Sequence, residues 1–299
     1  MMRNVKLVLA YDGADFHGWQ NQPDLRTVQD CLEQAVRRVV RHQVVVVGAG
    51  RTDARVHAAG QVANFYTTSP AKTAALARAI GSRLPKDMTL IDAAEVPLTF
   101  HSTHSAVSKL YRYRIHNAPG RPCERQQQRF VYHFFKPLDV APLRAAAAEW
   151  VGEHDFTAFA SSGNVRMTNV RTVSRIEVYR VGWEIRIDVE GTGFLYNQVR
   201  NFVGTLLEFG RGHWPVERAR EILVGRDRKQ AGPTAPARGL CLQWVRYDIP
   251  GLPEPNPDML ERARAARPPR GVERAEVEGK TRSTAPLPPD FDLTEEPPA

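Results

Sequence analysis

The chain has 299 residues, 42% of them hydrophobic, which suits one large or two medium globular domains with real cores and excludes disorder throughout. A formal charge of +8 favours polyanionic partners such as nucleic acid over acidic ones. Three scattered cysteines, Cys31, Cys123 and Cys241, form no CxxC pair and support neither a disulfide framework nor a zinc cluster; no apolar run approaches the ~20 residues of a membrane span, and the start MMRNVKLVLAYDG turns polar too soon for a secretory segment, so a soluble, cytoplasmic chain is expected.

Taken in order, Val5, Leu7, Leu9 and Tyr11 alternate with polar or small neighbours, the period of a half-buried strand, and Asp12 and Gly13 break it. Thr27 is placed to cap a helix in which Val28, Leu32, Ala35, Val36 and Val39 fall at helical spacing, running through Val40. The β-branched run Val44 to Val47 predicts a short strand ended by GAG, and Gln61 to Thr67 resumes strand character, so the RTDARVH segment between them sits on a connection. A helix over Ala71 to Leu84, stopped by Pro85, and a strand from Met88 to Glu95 complete a first α+β unit.

The next region repeats that style. Strands are predicted at Leu110 to His116, Val173 to Tyr179, Trp183 to Val189 and Leu240 to Asp248, with helices over Pro142 to Val151 and Asn197 to Phe209. The hairpin-like pair turning near Val181 and Gly182 favours antiparallel sheets with helices on one face, an α+β class. From Pro250 to Ala299 stand eleven of the 22 prolines, with ten acids and seven bases; such a segment buries too little to order itself and is expected to be a disordered tail, leaving +11 on the residues before it.

Three clusters carry possible chemistry. In GAGRTDARVHAAGQVANF, Gly48 to Phe65, a carboxylate, Asp53, is flanked by Arg51 and Arg55 on a glycine-rich turn; arginine can hold a carboxylate or phosphate through two hydrogen bonds. An isolated RTD triplet also fits a plain helix cap with both arginines on a solvated face. In KLYRYRIHN, Tyr111 and Tyr113 share one face of a strand and Arg112 and Arg114 the other, which suits base stacking and phosphate contact as well as ordinary core packing. In EGTGFLYNQVRNFVGTLLEFGRG a glycine turn feeds an amphipathic helix whose stripe is Val199, Phe202, Val203, Leu206 and Leu207, with Arg200 beside it near the helix start, placed either to meet an incoming carboxylate or to face solvent. There is no GxxxxGK[ST], HExxH, GxSxG or strand-borne GxGxxG, the nine histidines show no ligand spacing, and no thiol has a context that would activate it, so neither a metal nor a cysteine nucleophile is expected.

In this order and spacing the three clusters, with YDGADFHGWQNQ, GEHDFTAFASSG and GPTAPARGLCLQWVRYD, resemble the tRNA pseudouridine synthase A family from about Val5 to Asp248. The resemblance implies two similar α/β halves whose antiparallel sheets meet in one extended sheet with a basic cleft between them; a boundary near Ser105, giving 1–104 and 105–249 with 250–299 outside, puts the Asp53 cluster and the Tyr111 strand in different halves that converge at the cleft. It implies isomerisation of uridine to pseudouridine at tRNA positions 38, 39 and 40, without cofactor or metal, by a homodimer. By position, Asp53 matches the catalytic aspartate, acting as nucleophile or triggering glycosidic cleavage; Arg51 matches the arginine that displaces the base, Tyr111 the tyrosine that packs on uracil, and Arg200 the arginine that pairs with the aspartate.

Two residues depart from the family pattern. Arg55 stands where glycine is usual, a costly exchange if the turn needs positive φ, and adds a cation suited to RNA phosphate; Gln198 stands where methionine is usual, bringing an amide that needs partners if buried. The competing class is a catalytically silent RNA-binding protein or chaperone, for which Arg55 is the hint and against which Asp53 stands.

Overall fold

The computed structural model describes residues 1–161 and 168–249; the expected tail, 250–299, lies outside them. Strand β1 (Arg3–Tyr11) is buried on both faces, not half-buried as its alternation predicts: Val5, Leu7 and Leu9 are fully buried on one, and Asn4, Lys6, Val8 and Ala10 are buried on the other. Helix α1 (Val28–Val40) begins where expected, with Thr27 accepting the Asp30 N–H, and buries Val28, Leu32, Ala35 and Val36. A two-residue strand, β2 (Val47–Gly48), precedes the long β3 (His57–Thr67), then α2 (Thr73–Gly81) and β4 (Met88–Val96).

The second stretch runs β5 (Ala106–His116), α3 (Arg125–Phe130), β6 (Tyr132–His133), α4 (Val140–Ala148), β7 (Gly152–Asp155), β8 (Val170–Val181), β9 (Glu184–Gly191), α5 (Gln198–Gly210), α6 (Arg218–Gly225) and β10 (Leu240–Tyr247). The ten strands form one sheet with the path β4-β1-β3-β10-β5-β9-β8-β7, β2 pairing β3 and β6 pairing β5. The main-path pairings are antiparallel except one: β3 and β10 run parallel over a short seam where Cys241 faces His57 and Leu242 faces Ala58. At this seam Gly60 matters, because a Cβ there would lie 2.5 Å from the Gln243 carbonyl oxygen. The mixed α/β class with a largely antiparallel sheet is therefore as expected.

Two local expectations are corrected. The Val44–Val47 strand shrinks to Val47 and Gly48, because α1 side chains, not a neighbouring strand, satisfy the preceding backbone: Val46 N–H donates to Glu33, its carbonyl accepts from Gln29, and the Val44 carbonyl accepts from Arg37. The 71–84 helix is shorter at both ends, starting at Thr73 and ending at Gly81. Helices α3 and α6 and strand β7 had no sequence expectation; none exceeds eight residues, too short to show a clear period.

Candidate active site

The loop between β2 and β3 carries Asp53 and is tied down from several sides. Trp19 N–H donates to the Thr52 carbonyl at 3.0 Å and Arg55 N–H to the Phe16 carbonyl at 3.1 Å. Thr52 and Tyr11 share a hydroxyl hydrogen bond of 2.8 Å, Gln61 Nε2 donates to the Gly50 carbonyl at 2.9 Å, and Lys109 Nζ, from β5, donates to the Ala49 carbonyl at 2.7 Å. The loop is thus fixed by β1, β3 and β5 together, so its carboxylate has little freedom to wander.

Asp53 meets Arg200 from α5: Arg200 Nη1 donates to Asp53 Oδ2 at 3.2 Å, with 17% and 20% of the two side chains exposed. The same Nη1 donates to Asn197 Oδ1 at 2.7 Å, and Nε donates to the Ala235 carbonyl at 2.8 Å. Burial pushes the Asp53 carboxyl above its ordinary range, and Arg200, by charge and hydrogen bond, opposes that only in part. The pair is thus a partly desolvated carboxyl with a cation holding one oxygen.

Tyr111 is 8% exposed and packs edge-on to Phe194, ring centroids 5.4 Å apart. Burial first, then the neighbouring Tyr11 and Asp53, drives its phenol far above the ordinary value, so it stays neutral beside the carboxylate. Arg51 and Arg55 are exposed and make no side-chain hydrogen bond or ion pair among the described residues. Arg55 adopts φ +66°, so this turn does require the left-handed backbone that glycine takes at no cost.

The structure thus brings Asp53, Arg200 and Tyr111 together and leaves Arg51 and Arg55 reaching outward from the same loop. It does not leave Arg112 and Arg114 free for phosphate: Arg112 holds Asp188 in two 2.7 Å hydrogen bonds, and Arg114 holds Glu184 at 2.7 and 2.8 Å, both across β5 and β9. Tyr113 is fully buried and donates to the Pro236 carbonyl at 2.7 Å, so it is core, not a stacking platform. Gln198 is 1% exposed; its Oε1 accepts the Leu195 N–H at 2.7 Å, and its Nε2 has no partner among the described residues.

Sequence reasoning missed Asn197, left-handed (φ +61°) at the start of α5, whose side-chain Oδ1 accepts from Arg200 Nη1, and the Ala235 carbonyl, which accepts from Arg200 Nε. A lone asparagine ahead of a helix was the available signal for the first; the second is backbone and had none. Among the described residues no group of three or more His, Cys, Asp or Glu is placed to hold a metal, and no helix is long and apolar enough to cross a membrane.

Comparison with known proteins gives a consistent picture. A family model described as tRNA pseudouridine synthase matches residues 7–105 and 146–248. Curated relatives named tRNA pseudouridine synthase A include one from Acetivibrio thermocellus, 42% identical over 246 residues, covering 82% of this chain and all of that protein, and one from Syntrophotalea carbinolica, 44% identical over 249 residues, covering 82% and 97%. Among solved structures, a chain of the archaeal box H/ACA sRNP Nop10-Cbf5 complex aligns at TM-score 0.34 and 12% identity, covering 86% of this chain and about half (53%) of that one, a likeness too distant to build on.

Proposed function

The chain belongs to the tRNA pseudouridine synthase family and isomerises uridine in tRNA, and from that premise we propose that Asp53 is its nucleophile and the anticodon stem-loop, at positions 38, 39 and 40, its target. The observation that carries the assignment is the Asp53–Arg200 contact of 3.2 Å beside the Tyr111 ring, made by residues that lie far apart in the chain. Family membership sets aside the silent RNA-binding alternative.

In this reading the target uracil leaves the stack, at a cost of about a few kcal/mol, and Arg51 and Tyr111 offset that cost, one by entering from the exposed loop, the other as an aromatic wall. Asp53 attacks the nucleotide while Arg200 keeps it ionised against burial. The N1–C1′ bond breaks and a C5–C1′ bond forms; one proton leaves C5 and one arrives at N1. Atoms and electrons balance within the substrate, so no cofactor is assigned. Arg55 supplies a phosphate contact at the loop's outer edge. The reading carries with it a homodimer and the division of the chain into halves 1–104 and 105–249.

The test is tritium release from tRNA transcripts labelled at C5 of uridine, for the wild type and Asp53→Asn. Release by the wild type and none by the variant supports the assignment. Equal release by both removes Asp53 from the chemistry, and mapping the product nucleotide tests the anticodon positions.

A further inference from the structure

A second cation, Arg228, holds the groups that flank Arg200. Arg228 stands in a short turn after α6, where its Nη1 donates to the Gly232 carbonyl at 2.8 Å and its Nη2 to Asn201 Oδ1 at 3.0 Å and Thr234 Oγ1 at 3.2 Å. No ion pair joins it to a carboxylate among the described residues, and burial alone, unopposed by an acid, pushes its guanidinium below the ordinary value. A half-buried cation spent wholly on neutral oxygens is a costly way to fill space, which points to a task that needs a planar fork.

The groups it gathers lie on two elements. Asn201 is fully buried on α5, next to Arg200 in sequence, and its amide is anchored to the Phe159 carbonyl at 2.8 Å. Thr234 and Gly232 belong to the loop 231–236; Thr234 Oγ1 donates to Asn201 Oδ1 at 2.6 Å and Gly232 N–H to Thr205 Oγ1 at 2.9 Å. The loop sits on bare helix backbone, since a Cβ at Gly204 would lie 1.6 Å from the Pro233 carbonyl oxygen. Its far end, Ala235, gives its N–H to the Arg200 carbonyl at 3.1 Å and accepts Arg200 Nε at 2.8 Å. With Nε fixed, the plane of the Arg200 guanidinium is fixed, and Nη1 faces Asp53.

We infer that Arg228 is a positioning residue for uridine isomerisation: by clamping Asn201 and the 231–236 loop it sets the Ala235 carbonyl, through it the plane of Arg200, and so the contact with Asp53. The inference rests on the reading of Asp53 as the reacting carboxylate. The other charged or titratable groups around that carboxylate, Lys109 and Tyr111 from β5, Tyr11 from β1 and Arg51 and Arg55 on its own loop, are untouched by changes at Arg228.

The test is steady-state tritium release by the full chain across pH for Arg228→Lys, Arg228→Met and Thr234→Val, alongside melting temperatures. Arg228→Met is expected to lower kcat at least about tenfold while the KM for tRNA stays within about twofold, and to move the acid limb of kcat/KM to higher pH, because a misplaced Arg200 opposes protonation of Asp53 less. Lysine cannot rebuild the fork and follows methionine; Thr234→Val moves the limb the same way by less. A lower melting temperature with kcat and limb unmoved reduces Arg228 to a structural part and overturns the inference. A raised KM with unchanged kcat makes it an RNA contact and overturns it too. Should both Arg228 variants fail to fold, Thr234→Val decides by the same criteria. A wild type that releases no tritium sinks the Asp53 reading and this inference together; a wild type that turns over, with variants whose limb does not move, sinks this inference alone.

Discussion

Asp53 and Arg200 stand 147 residues apart in the chain and 3.2 Å apart in space, one on the loop entering β3, the other in the first turn of α5. Burial already raises the carboxyl, so the arginine is what opposes its protonation. Arg200→Met therefore raises it further: the protonated fraction grows at any given pH, activity is lost from the acid side first, and kcat/KM near neutrality falls by about a hundredfold, the kinetic equivalent of the ~3 kcal/mol typical of breaking a partly buried pair. Arg200→Lys keeps charge without the fork and falls between. A pH–rate profile of tritium release checks both.

Arg55 occupies a glycine-favouring conformation with its side chain unpaired among the described residues. Arg55→Gly is expected to raise stability by about 1 kcal/mol through relief of the left-handed backbone. It also weakens tRNA binding and reduces the slope of log affinity against log salt by about one. Thermal melts and binding titrations at three salt concentrations measure the two effects. A variant that is more stable and binds tRNA as tightly as before removes Arg55 from the RNA contact surface.

Asp12, in the turn after β1, is worked against by burial, yet the His57 ring, the Ala14 N–H and Arg129 together hold its carboxyl down to about 2. A depressed carboxyl stabilises the fold fully above its unfolded value of about 3.9 and loses that contribution as pH falls through the folded value. Asp12→Asn is expected to cost on the order of 1–2 kcal/mol at neutral pH, discounted for partial exposure, and the difference from wild type should close between about pH 4 and 2. Urea melts at several pH values read it directly; a constant difference down to pH 2 would contradict it.

Gly60→Ala drives a methyl group to within 2.5 Å of the Gln243 carbonyl oxygen at the β3–β10 seam, where backbone faces backbone and neither side yields cheaply. The expected cost is about 1–3 kcal/mol. Because the seam lies just after the Asp53 loop, kcat should fall with the melting temperature, whereas a substitution of equal cost on the outer strand β7 lowers stability alone. Paired melting and turnover measurements separate the two.

Much of this was legible in the sequence where one physical pattern dominated. The capped spacing from Thr27 to Val40 appears as α1, where period and burial coincide, and the alternation from Val5 to Tyr11 appears as β1, although neighbouring elements bury its polar face as well. The Val44–Val47 run misled because β-branched propensity was overridden by three α1 side chains that take its backbone hydrogen bonds. Arg112 and Arg114 looked available because their partners, Asp188 and Glu184, are supplied by a strand about 70 residues later. Arg228 was invisible for a related reason: every oxygen it holds is a carbonyl, an amide or a hydroxyl, and no pattern of charges marks such a site.

The parallel seam has a consequence for the order of synthesis. Strand β3 and the Asp53 loop leave the ribosome early and α5 with Arg200 much later, but β10, the strand that zips the first antiparallel group to the second, is the last described element of all. Until Leu240 to Tyr247 have emerged, the sheet lacks the strand that pairs with both β3 and β5, so no ladder joins the strands on the Asp53 side to those on the Tyr111 side. On the reading proposed above, a chain that stops short of Leu240 is expected to release no tritium from labelled tRNA.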